Sequence, residues 1–401
     1  MIAKRKIKII REKGYAVVVI AGSFGALAIT RELGKRKIPC IVIGEEFVRK
    51  SKYALVSLKA TTVEEIRDYL KELPGILKTK LLLFTDTDRT LQFIFSNWEE
   101  LAEHYQMPFS KDNVTLIDKE RLSLYAAENK VAVPKKFTSV EEVRESDFPI
   151  IIKPINHDQQ QTEKAYICYD KKTAIQHEQL FRRLNVPFIM QQYVSGNVNQ
   201  IYNLLLYRGK SGQVLIGFGS RKLRSFPLNY GTGSAQITEY NEEISQQSIQ
   251  LLKETNYCGV AEFEYKYCVK RDCYFLIEVN GRFPLQCALL SKVNSSFIEN
   301  ICMDLLTVSI PQDDPFYEKK KQKITWLYLI NDLRSMRAAN IKITNCLSIY
   351  LNVFRTTKIQ DPLWSISDPI PSLYYYKYLI KKVIKENEVS QHKKKRSVTI
   401  N

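Results

Sequence analysis

The sequence predicts an α/β protein: a parallel sheet near the N-terminus, then a larger α+β remainder. Three observations carry this. Tyr15–Ala21, Ile38–Ile43 and Leu81–Phe84 are continuous apolar runs separated by helical composition, the βαβ pattern of strands buried on both faces. Phe148-Pro149-Ile150-Ile151-Ile152-Lys153-Pro154 reads as another buried strand, ending in a lysine. Residues 259–283 alternate polar and apolar side chains through two successive strands, a hairpin. A chain of 401 residues has room for two or three domains with real cores.

The elements follow in order. Lys4-Arg5-Lys6-Ile7-Lys8 precedes an uncharged run from Tyr15 to Thr30, which superficially resembles a signal peptide. That run falls short of the ~20 residues that span a bilayer, and Gly22-Ser23-Phe24-Gly25 interrupts it. It reads as strand, turn and a helix over Ala26–Arg36. The turn is G-x-x-G rather than G-x-G-x-x-G, so a dinucleotide fingerprint is absent. The third strand ends at Thr85-Asp86. Asp118–Lys130 is helical and stops before Pro134. A polar loop, Asn156–Lys164, follows Lys153. Phe188–Met190 leads into Gln191-Gln192-Tyr193-Val194 and a turn at Ser195-Gly196. Residues 200–218 supply two strands, 242–255 a helix, and 260–267 with 274–280 the hairpin. After about 310 the pattern is helical, punctuated at Asp361-Pro362 and Asp368-Pro369-Ile370-Pro371, and Val389–Asn401 is a basic tail.

The net charge of +17 first suggests nucleic acid or an anionic membrane. Residues 1–13 hold +5 of it and residues 377–396 hold +6, so the body between them is only mildly basic. No specific nucleic-acid site is expected. Eight cysteines without a C-x-x-C, and only four histidines, argue against a zinc site. The cysteines are expected as free thiols in a reducing, cytoplasmic setting, although Cys268 and Cys273 flank a short loop and could bridge. With no transmembrane window, a soluble protein is expected.

The hairpin carries chemistry. In its first strand Phe263, Tyr265 and Tyr267 share one face, and Glu262, Glu264 and Lys266 the other. In its second strand Phe275, Ile277 and Val279 share a face, with Glu278, Asn280 and Arg282 opposite. An odd loop, Lys270-Arg271-Asp272, sets Glu264 across from Glu278 and Glu262 across from Asn280. Facing carboxylates are destabilising unless a hard cation sits between them, and Mg²⁺ takes such oxygens together with nucleotide phosphates. Arg282 suits a phosphate or carboxylate. The alternative is a solvated polar face on which Arg282 and Lys266 balance the acids. Lys119 opens a helix and Lys153 ends a strand. Arg221, Lys222 and Arg224 form a basic group before Pro227, and Gly231-Thr232-Gly233-Ser234 could present N–H groups to an anion.

In this order of elements the chain resembles the ATP-grasp superfamily, in particular its carboxylate–amine ligase branch, which includes D-aspartate ligase-like proteins. The resemblance covers roughly residues 15–372. It rests on the strand-turn Val17–Gly25, Thr85-Asp86, Ile117-Asp118-Lys119, Phe148–Pro154, Gln191–Gly196, Arg221–Ser234, Gly259–Lys266 and, most specifically, the E-x-N-x-R stretch of Leu276–Phe283. It implies a Rossmann-like pre-ATP-grasp domain over residues 1–115 and a two-lobed ATP-grasp domain over 116–305, divided at 190/191. A helical C-terminal region over 306–388 and a tail over 389–401 complete the expected division.

The resemblance also implies ATP and Mg²⁺ (or Mn²⁺) as cofactors. Lys119, Lys153 and Arg221 would bind the nucleotide, with Gln191, Gln192, Tyr193 and Val194 as the hinge under the adenine. Glu264, Glu278 and Asn280 would hold the metal. Arg282, Lys222 and Arg224 would be catalytic. The implied reaction activates a carboxylate as an acyl phosphate and joins it to an amine, with a homodimer common among such ligases. A carboxylase working through carboxyphosphate, and a basic nucleic-acid or membrane-surface binder, are the alternatives. Three features depart from the branch: Gln192 stands where an acid is common, the loop Asn156–Lys164 lacks glycine, and Asn197-Val198-Asn199 lacks a ribose-binding acid.

Overall fold

A computed structural model describes residues 2–111, 116–155, 162–163, 165–228, 231–310, 314–316 and 323–381. The chain divides into two compact units. One holds Met1–Pro108, Phe283–Ser309 and Asp361–Asn401; the other holds Phe109–Arg282 and Ile310–Gln360. The stretch expected as one helical C-terminal region is therefore shared between them. The tail over 389–401 lies outside the described residues.

The first unit is built on a five-stranded parallel sheet: β1 (Tyr15–Ala21), β2 (Cys40–Gly44), β3 (Val56–Leu58), β4 (Lys80–Thr85) and β5 (Tyr105–Gln106), in the order β3-β2-β1-β4-β5. Every residue of β1 is buried, which is why its sequence is apolar without alternation. After β1 the chain turns into the helix Phe24–Lys35, and Asp86 closes that turn. Its carboxylate accepts the N–H groups of Gly22 (2.9 Å) and Ala26 (2.7 Å) and the hydroxyl of Ser23. The helix start where a dinucleotide pyrophosphate would sit is thus filled by the protein's own anion. Arg31, on the same helix, is buried against Asp368, with Nε 3.0 Å from Oδ2. Ser51 and the backbone of Lys52 complete the Asp368 carboxylate's bonds.

The second unit carries two antiparallel sheets. The smaller has β6 (Lys136–Phe137), β7 (Ile150–Pro154), β8 (Tyr166–Cys168) and β9 (Phe188–Gln192) in the order β6-β9-β7-β8. The larger has β10 (Ile201–Arg208), β11 (Val214–Phe226), β12 (Thr232–Thr238), β13 (Gly259–Cys268), β14 (Cys273–Asn280), β15 (Ile324–Leu327) and β16 (Lys358–Gln360). Its order is β14-β13-β10-β11-β12-β15-β16, antiparallel except for β15–β16. The region after 310 is thus not purely helical: Ile324-Thr-Trp-Leu327 is β-branched and aromatic enough to add a strand, and Lys358–Gln360 pairs beside it. One face of the large sheet packs Leu204, Leu206, Phe263, Tyr265, Leu276 and Val279 against Ile244, Leu251 and Leu252 of the helix Glu242–Glu254. The other face carries the site.

Candidate active site

Strand alternation puts a polar set on the second face. Glu278, Glu264, Asn203, Ser220 and Thr238 stand in one register row across β14, β13, β10, β11 and β12. Glu262 pairs with Asn280 in the neighbouring row. The expected facing of Glu264 with Glu278 and of Glu262 with Asn280 therefore holds, but by another route. Cys268 pairs with Cys273 across a four-residue connection, and a one-residue bulge in β14, at Ile277, restores the parity. The bulge also divides the apolar set expected on one face. Val279 packs beside Phe263, whereas Phe275 joins Val194 and Cys268 in a small cluster that Ile277 adjoins. All eight cysteines are free.

Glu262 is the most enclosed acid of the hairpin. Arg282 Nη1 donates to its Oε2 at 3.0 Å, and the amides of Asn280 and Asn203 reach it at 3.5 Å. Burial pushes its pKa above the usual carboxylate range, with Arg282 opposing. The Asn280 amide also reaches Glu278 at 3.4 Å and so bridges the two acids. Lys222 Nζ lies 2.6 Å from Glu264 Oε2. Lys266 is 6% exposed, and its ammonium lies 4.6 Å from the centroid of the Tyr193 ring. Burial pushes the Lys266 pKa down to about 8, against the pull of Glu264.

Gly281 sets the approach of the preceding helix. A Cβ there would strike the Ile117 side chain and lie 3.1 Å from the Tyr257 hydroxyl. Ile117-Asp118 is thereby seated against the end of β14. Asp118 accepts the Arg121 N–H at 3.1 Å, and Lys119 opens the helix Lys119–Glu128; the Lys119 side chain lies outside the described part.

Lys153 and Gln191 meet in one pocket, walled by Val133, Pro134, Ile189, Leu276 and Ile277. Leu276 and Ile277 immediately precede Glu278, so an apolar pocket and the acidic pair adjoin along one strand. Gln192 donates its N–H to Lys135 O (2.7 Å) and Tyr193 to Pro149 O (3.0 Å), fixing the segment that leads to Val194. The loop Asn156–Lys164 lies outside the described residues apart from Thr162 and Glu163.

The basic group read as one cluster is dispersed. Arg221 and Lys222 are consecutive on a strand and face opposite sides. Arg221 pairs with Glu239 (3.0 Å) and the Asn199 carbonyl (3.2 Å). Lys222 alone of the three meets Glu264. Arg224 forms a bidentate pair with fully buried Asp332, both bonds 2.8 Å, and Asp332 also accepts the hydroxyls of Ser234 and Tyr350. Thr232–Ser234 are strand rather than an anion-cradling loop. Sequence reasoning passed over Asn203 and the contact of Lys266 with Tyr193; the alternation Glu262, Glu264, Lys266 was the available signal for the latter.

The donor set fits a hard cation. It is all oxygen: the carboxylates of Glu262, Glu264 and Glu278 and the amide of Asn280. Asn203 Oδ1, on the same face, is buried without a hydrogen-bond partner among the described residues. No group of three or more His, Cys, Asp or Glu among the described residues is arranged to hold a metal by itself. A cation here would draw further ligands from outside the chain, as Mg²⁺ does from phosphates.

No family model matches the chain. A D-aspartate ligase from Enterococcus faecium is 23% identical over 247 residues, which is 58% of this chain and 54% of the ligase. The match thus spans about half the length of that curated relative. Among solved structures, a biotin carboxylase from Campylobacter jejuni in a β,γ-ATP complex superposes with a TM-score of 0.60 at 14% identity, covering 75% of this chain and 72% of that one. The N5-carboxyaminoimidazole synthetase from Staphylococcus aureus complexed with ADP gives 0.56 at 14% identity, covering 75% and 79%. The biotin carboxylase domain dimer of the Hydrogenobacter thermophilus 2-oxoglutarate carboxylase, with MgADP and bicarbonate, gives 0.57 at 13% identity, covering 75% and 71%. A parallel α/β sheet followed by two antiparallel sheets is the architecture these structures share with it, so the chain has the ATP-grasp fold.

Proposed function

We propose that the protein is an ATP- and Mg²⁺-dependent ligase that activates a carboxylate as an acyl phosphate and joins it to an amine. One observation carries the reading: Glu264 faces Glu278, with Asn280 and Arg282 following, one residue from a pocket that holds Lys153 and Gln191. The distant likeness to a D-aspartate ligase supports amino-acid substrates.

In this reading Glu264, Glu278 and Asn280 hold Mg²⁺, with Glu262 beside them. When bound, the ion neutralises phosphate charge during transfer. The pocket of Lys153, Gln191 and Ile277 takes the adenine, above the segment Gln191–Val194. Lys119 and Lys153 meet the phosphates. Arg282 and Lys222 are held by Glu262 and Glu264, positioned to stabilise charge on the transferred phosphoryl group and the attacked carboxylate. Arg224 and Arg221 contribute through Asp332 and Glu239, which fix β11 and so the placement of Lys222.

The test is ADP release across pairs of amino acids, D-amino acids included, with mass detection of the product. An amide product dependent on both partners supports the ligase. Bicarbonate-stimulated ADP release without any amine would replace it with the carboxylase reading. No ATP turnover under any pairing, with intact folding, would count against both.

A further inference from the structure

Lys266 is a buried cation with no acid bonded to it. It is 6% exposed, and no described carboxylate lies within ion-pair or hydrogen-bond distance of its ammonium; its close contact is the face of Tyr193, 4.6 Å away. Burying a charge without a hydrogen-bonded partner is costly. A cation–π contact offsets only part of that cost.

Its position on the strand says what could complete it. Lys266 and Glu264 are two residues apart on the same face, roughly 7 Å along β13. On the far side of Lys266 lie Tyr193 and the small apolar cluster of Val194, Cys268 and Phe275. Lys266 thus stands between the acidic pair and the segment assigned to the adenine. A nucleotide whose base lies at that segment, and whose terminal phosphates lie at Glu264 and Glu278, carries its ribose and α-phosphate across this interval.

We propose that Lys266 is a nucleotide-contacting residue whose ammonium, beside the Tyr193 ring, takes the α-phosphate. This rests on the nucleotide reading above and adds to it a cation that neither the hinge nor the acidic pair supplies. It also gives the site a contact near the ribose, where the branch's acid is missing at Asn197–Asn199.

The experiment is calorimetric binding of ADP, AMP and adenosine, with Mg²⁺ present, to the wild type, Lys266→Met and Lys266→Arg. Lys266→Met is expected to weaken ADP and AMP about tenfold or more and adenosine less than about twofold, with Lys266→Arg recovering most of the loss. Equal weakening of all three ligands would show a packing role under Tyr193 and overturn the proposal. So would unchanged ADP and AMP affinity in Lys266→Met. If the wild type binds none of the three, the nucleotide reading itself falls, and the proposal with it. Circular dichroism of both variants separates these results from misfolding, and Lys266→Arg keeps the comparison usable if Lys266→Met does not fold.

Discussion

Lys222 reaches from β11 across β10 to place its ammonium 2.6 Å from the carboxylate of Glu264 on β13. The lysine is 7% exposed, and its partner Glu264 is one of two acids that strand pairing holds opposite each other. Lys222→Met removes the ammonium bonded to Glu264. The expected outcome is a loss of about 1–3 kcal/mol of stability in the metal-free protein, largely recovered by added Mg²⁺. Thermal denaturation with and without the ion reads both parts. Mg²⁺ that stabilises the variant no more than the wild type would argue against a cation at this pair.

Glu278→Ala should abolish ATP turnover while leaving the fold intact, because Glu278 lies at the edge of the polar face rather than in the apolar core. In the wild type, turnover should stop with a chelator and return with Mg²⁺ or Mn²⁺, both of which accept oxygen ligands. Retained turnover in the variant would remove Glu278 from the site.

Asp332 is expected to matter for folding more than for chemistry. Fully buried, it accepts from Arg224, Ser234 and Tyr350. Asp332→Ala strands the Arg224 guanidinium and should cost about 3–5 kcal/mol. Arg224→Lys should lower stability and leave the affinity for ADP within about threefold, since a lysine keeps the charge but loses the bidentate geometry. A large loss of ADP affinity without a loss of stability would put Arg224 in the site itself.

Gly281→Ala should destabilise by about 1–3 kcal/mol, because its Cβ meets the Ile117 side chain. Ile117→Ala in the same chain should recover part of that loss, and a double-mutant cycle measures the coupling. Additive effects would mean that the two residues do not meet.

The fold was legible because its signals are local. The buried run of β1 and the alternation of β13 are each written in a few consecutive residues. The acidic pair was legible for a subtler reason. A three-residue loop and a four-residue loop followed by a bulge give the same parity at Glu264, so the facing survives although the path to it differs. The bulge falls on Ile277, a residue with no bulge signature, and so left no mark in the sequence. The basic group misled because nearness in sequence was read as nearness in space; strand alternation separates Arg221 from Lys222. The partners of Arg224 and Arg31 lie 108 and 337 residues away, and nothing in either neighbourhood announces them.

That last separation has its own consequence for how the protein is made. Arg31 is buried in the first unit against Asp368, so the unit that holds the parallel sheet is completed by residues after 360. Domains usually fold in order as they emerge during synthesis. Here the first unit cannot complete its packing until residue 368 has been translated, and Arg31 lacks its buried partner until then. Chains cut after residue 360 should therefore misfold or aggregate, whereas chains cut after 381 should fold normally; recovery of soluble protein from the two truncations decides it. Nascent chains carry an unfinished first unit through the whole interval between Arg31 and Asp368, exposed to chaperones and proteases meanwhile.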